Sequence, residues 1–180
     1  LIKKLISLSD FDKFDEYRLI FKAYILCLFN MKQQYLEKWN SNLFWELVDA
    51  PEIIIPGHLD WVEYEEYMKA ILLDCIPGQF GRLLVDFPAN STEDNRLHTH
   101  PASDRCVTVI KGSGDFICYR DKKVQTFSLF RGVRVWMPRG ILHTFKSGSE
   151  GLLVESLHNP FVPLEHPKCL VYPKLAIGVN

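Results

Sequence analysis

The chain has 180 residues and a formal net charge of −1, so it carries no electrostatic footprint for nucleic acid or an anionic membrane surface. A hydrophobic content of 47%, with 13% aromatic residues, supplies the core of one domain with an extra segment. The five cysteines, Cys27, Cys75, Cys106, Cys118 and Cys169, are odd in number, widely spaced and lack a CxxC pair, which argues for reduced thiols in the cytoplasm rather than a disulfide framework.

In chain order, Ser9 and Asp12 form a capping-box pattern. Phe14, Tyr17, Phe21, Tyr24, Leu28, Met31, Tyr35 and Trp39 then recur at three- and four-residue steps, the mark of an amphipathic helix. Its apolar run from Leu19 to Phe29 is interrupted by Lys22 and is too short to span a bilayer. Asn40-Ser41-Asn42 ends the helix, and prolines at 51 and 56 mark a transition. Residues 1–58 therefore read as an N-terminal helical extension packed on the outside of a β domain spanning 59–180.

From Trp61 onward the pattern is β-rich. Ala70–Leu73 and Arg82–Phe87 flank the turn signal Pro77-Gly78-Gln79, and Glu63–Met68 fits either a strand or a helical turn. Val107–Ile110, Asp115–Tyr119, Val124–Leu129, Val133–Met137 and Leu152–Ser156 follow as short strands. Their turn signals lie at Gly112-Ser113-Gly114, Arg120-Asp121-Lys122 and Ser147-Gly148-Ser149. Many short strands with tight turns imply a sandwich or barrel. The tail from Asn159 to Pro173 is too proline-rich for a long helix, so it is expected to wrap the barrel or meet a second subunit.

Two blocks carry chemistry. His98-Thr99-His100 places imidazoles at i and i+2, which point to one face of an extended strand. Pro138-Arg139-Gly140-Ile141-Leu142-His143 offers a third histidine, presented by a turn in which Gly140 supplies positive φ and Pro138 fixes the chain. Gly132 suits a similar turn just upstream. Three neutral imidazoles on one side of an ion suit Fe(II), Zn(II), Ni(II) or Cu(II) and leave positions open for water, substrate or dioxygen.

The first block, continued through Pro101-Ala102-Ser103-Asp104-Arg105 to Gly112, resembles the first motif of the cupin family. Gly132 with Pro138, Gly140 and His143 resembles its second. The resemblance covers roughly residues 60 to 160 and implies a mainly β fold, a double-stranded β-helix or jelly-roll barrel. It departs from the family pattern at Arg105, which stands where the family usually has a metal-binding glutamate, and at Ser147, which stands where the second motif often ends in asparagine. Strand alternation puts Arg105 on a face with Val107 and Val109, and Asp104 on the other with Cys106, Thr108 and Ile110. A register slip or bulge would let Asp104 serve as the acidic ligand instead.

What the resemblance implies is a divalent metal held by His98, His100 and His143, with Fe(II) the first choice and Zn, Ni or Mn as alternatives. Some cupin dioxygenases bind iron through three histidines and no carboxylate. Arg105 would either weaken the site by repulsion, recruit the carboxylate of an anionic small-molecule ligand, or form an ion pair with Asp104 or Glu155 that carries no function. The leading expectation is a non-haem metal-dependent oxygenase acting on a small organic acid. The alternatives are a non-catalytic small-molecule-binding or regulatory cupin and a metal-free isomerase or epimerase in which a histidine is the base. Many cupins associate through flanking elements, so a homodimer is expected, with no nucleic-acid or membrane partner.

Overall fold

A computed structural model describes residues 43–173, apart from 56, 58, 64–67, 77 and 92–95. The helix expected over Phe14–Trp39 lies outside the described residues. Among those residues all helix- or strand-type structure is strand: β1 (Phe44–Leu47), β2 (Val62–Glu63), β3 (Lys69–Ile76), β4 (Phe80–Phe87), β5 (Asp104–Arg120), β6 (Lys123–Phe130), β7 (Val133–Met137) and β8 (Leu142–Asn159). They form one sheet in the order β1-β7-β5-β8-β4-β3-β2, with β6 joined to β5, and every pairing is antiparallel. No described helix is long and apolar enough to cross a membrane.

β5 and β8, of 17 and 18 residues, are the spine of the sheet. Each absorbs a segment that reads as a turn in the sequence. Gly112-Ser113-Gly114 and Ser147-Gly148-Ser149 do not reverse the chain; they bend two strands that remain paired through register shifts at Val109/Lys111 and Gly112/Gly114. The reason is steric. A Cβ on Gly112, at φ 82°, would collide with the carbonyl of Gly151, and one on Gly114 with the carbonyl of Lys146, so only glycine lets the two backbones cross this closely. Arg120-Asp121-Lys122 is a true reversal, with φ of 52° at Asp121 and 62° at Lys122, joining β5 to β6.

The sheet also begins earlier than the boundary at residue 59. β1 pairs with β7, and Phe44 stacks on Trp136 with ring centroids 5.6 Å apart. Its four residues alternate in burial, a pattern too short to stand out from the flanking polar residues.

Inward-facing residues from the spine and its neighbours, Val107, Val109, Phe116, Leu129, Val135, Met137, Phe145 and Val154 among them, form one apolar cluster. Burying each such side chain contributes about 1.5–3 kcal/mol. This interior is a rigid wall for whatever shares its face. Arg105 does share it: with Val107 it lines the interior cavity.

Candidate metal centre

The two histidine blocks meet by backbone pairing. His98 and His143 exchange N–H to carbonyl bonds, both 2.9 Å, and the Gly140 N–H donates to the His100 carbonyl at 3.1 Å. That contact needs the tight turn after Pro138, and Gly140 makes it at φ 84°. The turn is also held from outside. Asp104 accepts from the Arg139 backbone N–H at 2.8 Å and from its guanidinium at 2.8 Å.

The result is a cluster of His98, His100 and His143, whose candidate ligand atoms lie within 4.8 Å of one another. It is the metal-capable group found among the described residues. In each ring Nδ1 faces a backbone carbonyl: Arg96 at 3.0 Å from His98, Cys169 at 2.5 Å from His100, and Ile141 at 2.9 Å from His143. A carbonyl only accepts, so all three Nδ1 atoms carry the proton and the Nε2 lone pairs are left for a ligand. His143 Nε2 is fully buried with no hydrogen-bond partner among the described residues. A buried polar atom without a partner is costly, and a metal ion satisfies it. The donor set and this orphaned nitrogen fit a divalent ion.

Electrostatics keep the rings neutral. Burial pushes the pKa of His98 down to about 4, and the Arg105 charge adds to that. Burial likewise holds His100 and His143 well below the ordinary histidine value, with Arg105 and the neighbouring imidazoles acting in the same direction. Neutral imidazole is the ligating form.

Arg105 is buried in the same cavity, with Nη2 3.4 Å from His100 Nδ1, from the Cys169 carbonyl and from the Cys169 thiol. Because the Nδ1 proton is already donated to that carbonyl, the guanidinium and imidazole are close neighbours rather than a second hydrogen-bonded pair. Asp104 is not brought to the histidines. Its carboxylate is occupied by Arg139, and strand alternation directs it away from the Arg105 face. The Arg105 ion pairs weighed from sequence are likewise not the pairs made by those carboxylates: Asp104 holds Arg139, and Glu155 meets Arg82 at 3.4 Å. Ser147, at the asparagine position, accepts from the Ser91 N–H at 3.0 Å and donates to the Pro88 carbonyl, tying the β4 exit to the spine.

A cavity of about 60 Å³ opens beside the cluster, with Met137, Phe145 and Val154 as apolar wall and Leu164 and Leu170 from the tail. The tail thus wraps the barrel, pinned where Thr99 and Val171 pair. One water needs about 10–15 Å³, so there is room for an ion with a few further heavy atoms. A fourth histidine lines this cavity. His158 sits directly across β5 from Arg105, its Nε2 is 3.0 Å from the Ser156 hydroxyl, and its Nδ1 is buried with no partner among the described residues. It belongs to neither motif; the i, i+2 spacing of Ser156 and His158 on an extended strand is the one signal that points to it.

The sequence matches no family model and no curated protein. Solved structures do resemble the fold. KdgF from Halomonas sp. superposes with a TM-score of 0.53 at 18% identity, over 62% of this chain and 96% of that one. CapF from Staphylococcus aureus gives 0.53 at 14%, over 65% of this chain and 32% of its own length. The Lactobacillus farciminis oxalate decarboxylase formate complex gives 0.50 at 18%, over 58% and 32%. This chain therefore spans about a third of the last two proteins. All three have the cupin fold, and the likeness establishes that fold for this barrel.

Proposed function

We propose that this cupin-fold barrel is a metal-dependent oxygenase acting on a small organic acid. Its metal would be held by His98, His100 and His143, with Fe(II) the first choice. The observation that carries the reading is the set of three neutral imidazoles, each anchored through Nδ1, around a cavity that also holds a buried arginine. A ferrous ion held there would activate dioxygen by relaying electrons to it, with the organic acid as the net electron donor.

The remaining work falls to the chain's own residues. Arg105 offers a fixed fork for a substrate carboxylate, which orients the acid against the histidine wall. Met137, Phe145 and Val154 exclude bulk water and strengthen that charge interaction. His158, hydrogen-bonded through Nε2 to Ser156, holds or accepts a proton at its buried Nδ1. Anaerobic loading with Fe(II), followed by dioxygen-uptake measurements over a panel of two- to four-carbon acids, tests the reading. Uptake that depends on both iron and acid supports it. Ligand-induced stabilisation without turnover would favour a binding or regulatory protein. A metal-free isomerase is the reading that His158 favours, because it supplies an acid or base independent of the triad; turnover surviving chelation would select it.

A further inference from the structure

The three imidazoles of the cluster are not held in the same way. His98 and His143 each donate Nδ1–H to the carbonyl two residues earlier in the chain, Arg96 at 3.0 Å and Ile141 at 2.9 Å, so their orientation is a local property. His100 donates instead to the carbonyl of Cys169, 69 residues away, at 2.5 Å. Its own carbonyl accepts from the Gly140 N–H, which fixes the backbone at this point without the tail. What the tail adds is the direction of the ring. The tail itself is anchored at both ends and exposed between them. At its start Phe161 is buried against Ala70 and Leu83, and the Pro160 carbonyl accepts from the Ser103 hydroxyl at 2.7 Å. At the far end Thr99 and Val171 exchange N–H to carbonyl bonds, both 2.9 Å, and Cys169 is buried. Between the anchors the His166 N–H donates to the Pro163 carbonyl and the Cys169 N–H to the His166 carbonyl, bonds internal to the segment, and residues 165–168 are exposed. An exposed segment held at its ends is the kind that opens locally at a small cost.

We propose that residues 164–171 form a positioning strap whose docking is coupled to metal loading, the Cys169 carbonyl fixing His100 for the ion and the ion in turn holding the strap down. The inference rests on the metal-binding reading of the triad and adds a regulation to it: the third ligand is in place only while the strap is docked. With the strap raised, His100 loses the acceptor that keeps its proton on Nδ1. The ring can then rotate or carry the proton on Nε2, and two oriented ligands remain. With an ion on Nε2 the proton is confined to Nδ1, a donor that needs an acceptor, and the Cys169 carbonyl supplies it. Leu164 and Leu170 of the same segment line the cavity, so the strap that orients His100 also walls the site. Coupling is reciprocal, so the factor by which docking tightens metal binding equals that by which the metal tightens docking.

The test is amide hydrogen exchange of the metal-free and the Co(II)-loaded protein, followed by mass spectrometry of peptides covering residues 164–172. The strap amides should exchange about tenfold or more slowly with Co(II) bound, within the range of ordinary coupling. Val171→Pro removes the N–H that bonds the Thr99 carbonyl and should weaken Co(II) binding by about tenfold. In a His100→Ala background the same substitution should change Co(II) affinity little, because the strap acts through His100. No effect of Val171→Pro on Co(II) affinity, or an equal effect in both backgrounds, overturns the positioning role. Should that variant fold poorly, the exchange measurement on the wild type alone decides. Equal exchange with and without bound Co(II) overturns the coupling while leaving the metal centre intact. Absence of Co(II) binding overturns the metal centre and the coupling together.

Discussion

Two arginines on one sheet, Arg105 buried and Arg82 half-buried, have different surroundings. Arg82, on β4, meets Asp74 at 2.8 Å and Glu155 at 3.4 Å. Arg105, on β5, faces an imidazole, a carbonyl and a thiol. Around Arg82 two carboxylates share one cation, and burial raises the pKa of both against its pull. Such a cluster is self-contained; its work is to seat β3, β4 and β8 together. Arg105 is in contact with the His100 imidazole, which burial holds neutral, and with the Cys169 carbonyl and thiol, and it lines a cavity. The comparison teaches that two arginines on one sheet can be placed differently, one clasped by carboxylates of two other strands and one lining a cavity beside three imidazoles.

The largest effects should separate the two regions. His100→Ala removes one imidazole of three, so metal content after anaerobic loading should fall by about a hundredfold while circular dichroism still shows a folded barrel, because the apolar interior is untouched. Equal occupancy in wild type and variant would dismiss the triad. Arg82→Met should do the reverse. It strands two buried carboxylates and should cost about 3 kcal/mol in denaturant unfolding, with metal stoichiometry of the folded fraction unchanged. If that variant lost metal and kept its stability, the division between the two regions would be wrong.

Acid sharpens the contrast. The folded pKa of His98 is lowered to about 4 from an ordinary 6.5, and those of His100 and His143 are lowered as well. The unfolded chain therefore binds more protons than the folded one below neutrality, and this contribution to stability is lost as pH falls from about 6.5 toward 4. Asp74 and Glu155 act with the opposite sign, since their folded pKa values are raised: they favour the fold below the carboxylate range and less above it. The melting temperature of the metal-free protein should fall by several degrees between pH 7 and pH 5, and a triple replacement of the triad histidines by glutamine should flatten that slope. A slope that survives the triple variant would place its origin elsewhere.

The smallest expected effect concerns Asp104. Its pair with Arg139 is largely exposed on the arginine side, so Asp104→Asn should cost less than about 1 kcal/mol and leave metal content unchanged. A large loss of metal would restore Asp104 as a ligand.

Much of this was legible in the sequence for identifiable reasons. The parity of His98 and His100, and the glycines that open turns at Gly132, φ 88°, and Gly140, φ 84°, are local properties, and local properties survive into the fold. Alternation also put Arg105 with Val107, but it does not say which face of an isolated strand is inner; that followed only from pairing with β7 and β8. The length of β5 and β8 was hidden because Gly112 and Gly114 read as a turn when their partner strand is unknown. His158 was missed because no motif contains it. The Cys169 carbonyl that orients His100 was invisible in principle, since a backbone acceptor leaves no mark in residue type.

The central claim is that His98, His100 and His143 hold one divalent metal ion through their Nε2 atoms. X-ray absorption at the metal edge of the anaerobically loaded protein, combined with metal analysis, tests it most directly. The account predicts one ion per chain with the multiple-scattering signature of imidazole ligands, and loss of that signature in His143→Ala. A metal-free protein after loading, or a spectrum without imidazole scattering that His143→Ala leaves unchanged, would contradict it.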